Sequence, residues 1–198
     1  MTDVAIIDNG GANIASLRHA LERLGASSVL TTDVAILRGA PRVLLPGVGA
    51  AADAMERLRA AGLVEAIRVL EQPVLGICLG MQLLFGRSEE GDTACLGIID
   101  GRVGRFADAP DLPVPHMGWN RLAALTPDPL LDGLRAGEHV YFVHSYRAPL
   151  GPWTVATSDY GGGFSAVVRQ RNFAGAQFHP ERSGPAGARV LANFLKAA

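Results

Sequence analysis

The sequence predicts an α/β fold: a mostly parallel sheet flanked by helices, with antiparallel strands added in the second half. Three observations predict it. Short apolar runs alternate with helical periodicity through residues 1–86, and most of those runs end in turn residues. The second half is instead a series of strand-like segments. Gly161-Gly162-Gly163 and a Pro-rich stretch from Pro110 to Pro115 punctuate them.

In order, Val4 to Ile7 is a four-residue apolar run that suits a strand buried on both faces. Ile14, Leu17, Leu21 and Leu24 fall at helical spacing, and Gly25 is placed to cap that helix. Val29 to Thr31 and Val43 to Leu45 read as strands, the second ended by Pro46-Gly47. Asp53 to Leu70 reads as helix with a break near Gly62. Val74 to Ile77 is a further buried strand, followed at once by Cys78-Leu79-Gly80 and a helical Met81 to Phe85. Repetition of strand then helix implies parallel pairing. Beyond it, Ile98 to Phe106, His139 to Val143, Trp153 to Thr157, Phe164 to Arg169 and Phe173 to Phe178 read as strands, and Val190 to Leu195 as a closing helix. The whole, residues 1–198, is expected to form one domain.

Composition narrows the function. Of 198 residues 48% are hydrophobic and 19% charged, ample for a core and incompatible with disorder. Eighteen basic and 19 acidic residues leave a net charge of −1, which argues against capture of nucleic acid or an anionic membrane. Lys196 is the only lysine and sits at the chain end, a poor place for Schiff-base chemistry. Cys78 and Cys95 form no CxxC pair, and no two histidines have HExxH spacing, so neither a metal nor a cofactor is expected. The N-terminus lacks the features of a signal peptide and no window reaches 18 apolar residues. The expected setting is the cytoplasm, with reduced thiols.

Gly76-Ile77-Cys78-Leu79-Gly80 joins a strand to a helical stretch, the pattern of a nucleophile elbow with Cys in place of Ser. A tight strand-to-helix turn strains the nucleophile's backbone, glycines on either side avoid clashes, and a helix N-terminus favours thiolate. The competing reading is a buried structural cysteine between turn glycines. A cysteine nucleophile needs a base and the base an orienting group. His19 reads as solvated and His139 as structural. His179 follows an apolar run and precedes Pro180-Glu181, so Glu181 can hold one imidazole nitrogen while the other faces the thiol. A Pro-terminated strand with a surface ion pair is the alternative.

Gly47-Val48-Gly49-Ala50-Ala51-Ala52 matches a dinucleotide fingerprint. However, Pro46 interrupts the strand-to-loop step, and Glu71, near the required acidic position, ends a helical pattern. The loop's other use is as an oxyanion hole, with the Leu79 N–H as the second donor.

These motifs together resemble the class I glutamine amidotransferases, a flavodoxin-like fold. Within them the chain resembles the glutaminase subunits of imidazole glycerol phosphate synthases. The resemblance covers nearly the whole chain and is carried by residues 76–85, His116-Met117-Gly118-Trp119-Asn120, Tyr141 through Tyr146 and Gln177-Phe178-His179-Pro180-Glu181. It implies that Cys78 attacks the carboxamide of L-glutamine, His179 shuttles the proton and Glu181 orients His179. Val48 and Leu79 would supply the oxyanion donors. Gly49, Gln82, Glu90, Ser145 and Tyr146 would hold the amino-acid head, the last two partly through backbone groups. Ammonia would pass to a (β/α)₈-barrel cyclase subunit making imidazole glycerol phosphate in histidine biosynthesis, as a heterodimer. Asn13, Met117, Trp119, Asn120, Tyr141 and Arg182 would face that partner. The chain departs from the family pattern at Asn9, Ala12, Ala51 and Arg182, where Tyr, Gly, Phe and Lys are usual, all outside the triad. A glutaminase serving another synthase and a binding module without catalysis are the competing readings. The His-Met-Gly-Trp-Asn stretch opposes the first and the complete triad the second.

Overall fold

The computed structural model describes residues 2–10, 14–110 and 112–197. The first half runs β1 (Val4–Ile7), α1 (Ile14–Arg23), β2 (Ser28–Thr31), α2 (Val34–Gly39), β3 (Val43–Leu45), α3 (Ala51–Ala60), α4 (Leu63–Arg68), β4 (Val74–Ile77) and α5 (Leu79–Gln82). Then follow β5 (Phe85–Ser88), β6 (Thr93–Ala94), β7 (Ile99–Arg105), β8 (His116–Arg121), β9 (Ala124–Leu125), β10 (His139–His144) and β11 (Tyr146–Arg147). The chain closes with β12 (Thr154–Asp159), β13 (Gly163–Gln170), β14 (Phe173–Ala176) and α6 (Gly184–Lys196).

An eight-stranded sheet has the order β2-β1-β3-β4-β14-β13-β12-β9. From β2 to β14 every pairing is parallel; from β14 to β9 every pairing is antiparallel. Strand β14, last in sequence, therefore sits in the middle of the sheet beside β4, with Ala176 opposite Ile77. That one pairing sets the chain after Phe173 next to the chain after Val74. A two-stranded ribbon (β8, β10) and a four-stranded sheet (β11-β7-β5-β6) flank the large sheet.

The sheet is buried on both faces, which explains the unbroken apolar runs. In β1, Val4 and Ile6 pack with Leu17 and Phe178 on one side, while Ala5 and Ile7 pack with Met55 and Leu58 on the other. Each fully buried aliphatic or Phe side chain contributes about 1.5–3 kcal/mol.

The expected class and the early strands agree with this architecture. Several details differ for physical reasons. Asp33, not singled out by apolar periodicity, caps α2 by accepting the Ala35 and Ile36 N–H groups. The expected helix from Met81 to Phe85 is a single turn, Leu79–Gln82, because Phe85 opens a strand that pairs with β7. Asp53 to Leu70 is two helices, divided by Gly62 at φ +67°. His116 to Arg121, which carries a family motif but no strand signal of its own, is a ribbon strand. The strand from Phe173 stops at Ala176 rather than Phe178, and α6 begins at Gly184, well before Val190. Among the described residues no helix is long and apolar enough to cross a membrane.

Candidate active site

Strand β4 ends and α5 begins at Cys78, which holds φ 54°, ψ −111°. Positive φ is costly for a residue with a Cβ, so the surroundings must enforce it. The Cys78 N–H donates to Ala176 O at 2.8 Å, pinning the elbow to the neighbouring strand. The glycines are required by close approach. A Cβ on Gly76 would lie 2.7 Å from Gly80 O, and one on Gly80 only 1.8 Å from Leu45 O. The next strand's loop packs on the same turn, since a Cβ on Gly47 would lie 2.9 Å from Gly80 N. The start of the Gly47 loop therefore lies against the elbow, while Ala51 already opens α3.

The β4–β14 pairing carries His179 to the same place. Pro180 to Arg182 form a short 3₁₀ turn that brings Glu181 back onto the imidazole, with His179 Nδ1 and Glu181 Oε1 2.8 Å apart. Both side chains are almost completely buried. His179 Nε2 is buried and, with Nδ1 held by Glu181, is the nitrogen left to interact with Cys78. Burial pulls the His179 pKa down, but the Cys78 sulfur and the Glu181 carboxylate outweigh it and raise the value to about 10. The thiol itself approaches Val143 O at 3.7 Å.

A cavity of about 420 Å³ opens over the thiol. Val48, Gly49, Leu79, Gln82, Glu90, Ser145 and Tyr146, all expected from the sequence, line it with Cys78 and His179. Pro115, Val143 and His144 also line it and were not expected. For Val143 and His144 the signal was present as the Tyr141-to-Tyr146 motif, but only strand pairing shows which side chains turn inward; Pro115, just before the His116 motif, had no signal of its own. Gly49 has φ +86° and open space around it. Glu90 accepts the Ala51 N–H at 2.8 Å, filling the cap position that Ala50 cannot serve at the start of α3. The carbonyls of Ser145 and Tyr146 are already used, by Phe106 N–H and by His144 and Gln82.

The residues expected to face a partner divide into two sets. Met117 and Trp119 are 66% and 57% exposed on one face of the ribbon. Tyr141 lies opposite Trp119 in register, and the Arg182 guanidinium sits 4.7 Å from the Tyr141 ring. Asn120 is not on that face. Strand alternation turns it inward, where Nδ2 donates to Asp159 O and contacts His116 Nε2. Asn13 lies outside the described residues, as does Ala12. Of the other departures, Asn9 is buried and donates to Pro46 O at 2.6 Å, tying the first βα turn to the loop before Val48.

His19 and His139 are exposed, and Cys95 is buried with its thiol pushed up to about 11 by desolvation. No group of three His, Cys, Asp or Glu among the described residues is arranged to hold a metal.

The strained elbow, the buried imidazole–carboxylate pair and the loop over them meet at this cavity. The chain belongs to the class-I glutamine amidotransferase family, whose model matches residues 5–198. The kinship is narrower still. The chain is 56% identical over 196 residues to the imidazole glycerol phosphate synthase subunit HisH of Xylella fastidiosa (strain Temecula1), covering 99% of this chain and 98% of that protein. It is 57% identical over the same length to the subunit HisH of Xanthomonas axonopodis pv. citri, with the same coverage. Among solved structures, a GMP synthase-type protein from Thermoplasma acidophilum matches with TM-score 0.75 and 20% identity over 99% of this chain and 93% of that one. Another, described as a glutamine amidotransferase, matches with TM-score 0.74 and 21% identity over 98% and 97%. At that identity these two speak to the fold alone.

Proposed function

We propose that this chain is the glutaminase subunit of an imidazole glycerol phosphate synthase, hydrolysing L-glutamine and passing ammonia to a (β/α)₈-barrel cyclase in histidine biosynthesis. The observation that carries the chemistry is the convergence of three groups. Cys78 stands on a strained elbow, His179 Nδ1 is held by Glu181, and the buried Nε2 is the nitrogen left for Cys78. The relatives named HisH carry the pathway.

The reaction follows from the geometry. The Cys78 sulfur, having given its proton to His179 Nε2, attacks the carboxamide carbon of glutamine. The N–H groups of Val48 and Leu79 hold the oxyanion. The imidazolium protonates the departing nitrogen, ammonia leaves and a glutamyl thioester remains. His179 Nε2 then takes a proton from water, which attacks the thioester; the sulfur departs and glutamate is released. Glu181 keeps the imidazole in one tautomer and balances its charge. The amino-acid head lies along Gly49, Gln82, Glu90, Ser145 and Tyr146. Every step uses groups of this chain, the substrate and water.

The exposed face of Met117, Trp119, Tyr141 and Arg182 is the docking surface for the cyclase, with Asn13 assigned to it by family resemblance. Asn120, turned inward, supports the ribbon from behind.

The test is glutamate release from glutamine, with and without the barrel cyclase and its nucleotide ligand. Strong stimulation by the pair is expected, and Cys78→Ala abolishes release while retaining glutamine binding. Activity without stimulation places this chain with another synthase; normal turnover of Cys78→Ala removes the nucleophile.

A further inference from the structure

One backbone carbonyl orients the polar side chains around the nucleophile. The carbonyl of Tyr146 can only accept. It takes Gln82 Nε2 at 2.9 Å and His144 Nδ1 at 2.7 Å. Gln82 therefore turns its amino group this way, and the second N–H of that group goes to Gln177 Oε1 at 2.9 Å. Gln177 is completely buried, so its amide has no water with which to exchange roles. With its oxygen used by Gln82, its nitrogen faces Cys78 Sγ at 3.8 Å. Flipping it would set two amino groups against each other and aim an oxygen lone pair at sulfur. The assignment is thus forced from a group whose polarity is not in question.

We propose that Gln177 is a catalytic residue of the glutaminase reaction, donating an N–H to the Cys78 sulfur and stabilising it as thiolate before attack and again as it leaves the thioester. This rests on the reading of Cys78 as nucleophile. The need for such a donor is visible on the other side of the sulfur. Val143 O, 3.7 Å away, accepts the S–H while the thiol is protonated and repels the charge once the proton has gone. Gln177 offsets that repulsion at no cost in reorganisation, because Gln82 and the β4–β14 pairing hold it before substrate arrives. Hydrogen bonds to an ionised partner are about twice as strong as neutral ones, so the effect falls mainly on the charged state. The titratable groups around the sulfur are His179 with Glu181 behind it, and His144, Tyr146 and Glu90 on the cavity wall.

The experiment uses the full chain, on its own and with the cyclase. Gln177→Met keeps length and apolar volume and removes the donor without burying a charge. Two things are read: the rate of Cys78 alkylation by iodoacetamide against pH, located by peptide mass spectrometry, and kcat and KM for glutamate release against pH. The midpoint of the alkylation curve should move up by about one unit, tenfold in thiolate. The kcat should fall about tenfold at neutral pH and recover as pH rises. An unmoved midpoint with a pH-independent loss, or a loss confined to KM, overturns the proposal and leaves Gln177 as a support for Gln82. Should the variant fail to fold, the unaltered chain still decides: the Gln177 side-chain amide resonances should follow the alkylation midpoint and cease to do so in Cys78→Ala. Resonances indifferent to pH refute the contact. Glutamate release that survives in Cys78→Ala refutes the nucleophile itself, a separate failure.

Discussion

The backbone N–H of His179 donates to the carbonyl of Tyr141 at 2.9 Å. Tyr141 is also bound through its own N–H, which donates to Ser183 Oγ at 2.9 Å. The ribbon strand that carries the exposed aromatic face is thus bonded directly to the segment that carries the proposed base. Its ring meets Trp119 in front, at 6.0 Å between centroids, and Arg182 beside it. A partner pressing on Trp119 and Arg182 presses on two residues that pack against the Tyr141 ring, one bond from His179.

Trp119→Ala tests that face. The side chain is exposed and outside the cavity, so unstimulated glutamate release should stay within about twofold. Truncating a central aromatic of an interface commonly costs about 2 kcal/mol or more, so affinity for the cyclase should fall by at least about tenfold. Binding titration with parallel activity assays checks both. Unchanged affinity moves the docking surface elsewhere.

Glu181→Gln should slow glutamate release strongly yet less than Cys78→Ala does. It removes the charge that balances the imidazolium and disturbs the Nδ1 partner at 2.8 Å, but leaves the sulfur and the oxyanion donors in place. Single-turnover kinetics on both variants rank them. A larger loss for Glu181→Gln than for Cys78→Ala contradicts its role as orienting group.

Two glycine substitutions separate close approach from backbone conformation. Gly80→Ala puts a methyl 1.8 Å from Leu45 O, a rigid carbonyl in the sheet, and should abolish soluble expression or cut thermal stability severely. Gly49→Ala meets open space but must adopt φ +86°. Its strain is about 1–2 kcal/mol, so the protein should fold with weakened glutamine turnover. Equal stability of the two variants contradicts the packing of the loop on the elbow.

The ribbon histidines set the acid limit of stability. His116 is stacked between Phe142 and Tyr160, and burial lowers its pKa to about 4. His144 is bonded to His116 and to Tyr146 O, and burial lowers it to about 3. Below a pH of about 6.5 the unfolded chain gains protons that the folded ribbon refuses, so stability should fall progressively from about 6.5 towards 4. His179 acts in the other direction. Its raised value contributes stability that is complete below about 6.5 and is lost as pH rises towards about 10. Thermal unfolding against pH should therefore show a maximum near neutrality, and His144→Gln should flatten its acid side. An unchanged acid slope in that variant places the sensitivity in other groups.

The class of the fold was legible because apolar runs and helical spacing report burial on both faces of a sheet, as in Val4 to Ile7 and Val74 to Ile77. The strained elbow at Cys78 was legible because its glycines are demanded by local geometry. His179 and Glu181 were legible as a pair because they lie two residues apart around a proline. Motif resemblance groups Asn120 with Met117 and Trp119, and the structure sets it on the other side of the ribbon, since a motif is silent on which way a strand's side chains alternate. The one-turn length of α5 was not legible, because an apolar run such as Leu83 to Phe85 serves a helix or a buried strand equally well. Gln177 stands out in the sequence only as the first residue of a motif. Its orientation depends on a hydrogen-bond chain through Gln82 to Tyr146, far apart in sequence.

Residue order alone determined the alternating pattern, the strained turn at Cys78 and the types of group that could act with it, because those depend on neighbours along the chain. Tertiary structure decided that β14 returns to the middle of the sheet beside β4, that the Gly47 loop lies on the elbow, and which nitrogen of each buried amide and imidazole faces what. Those outcomes depend on pairings between distant segments, where a carbonyl of one strand sets the polarity of a side chain on another.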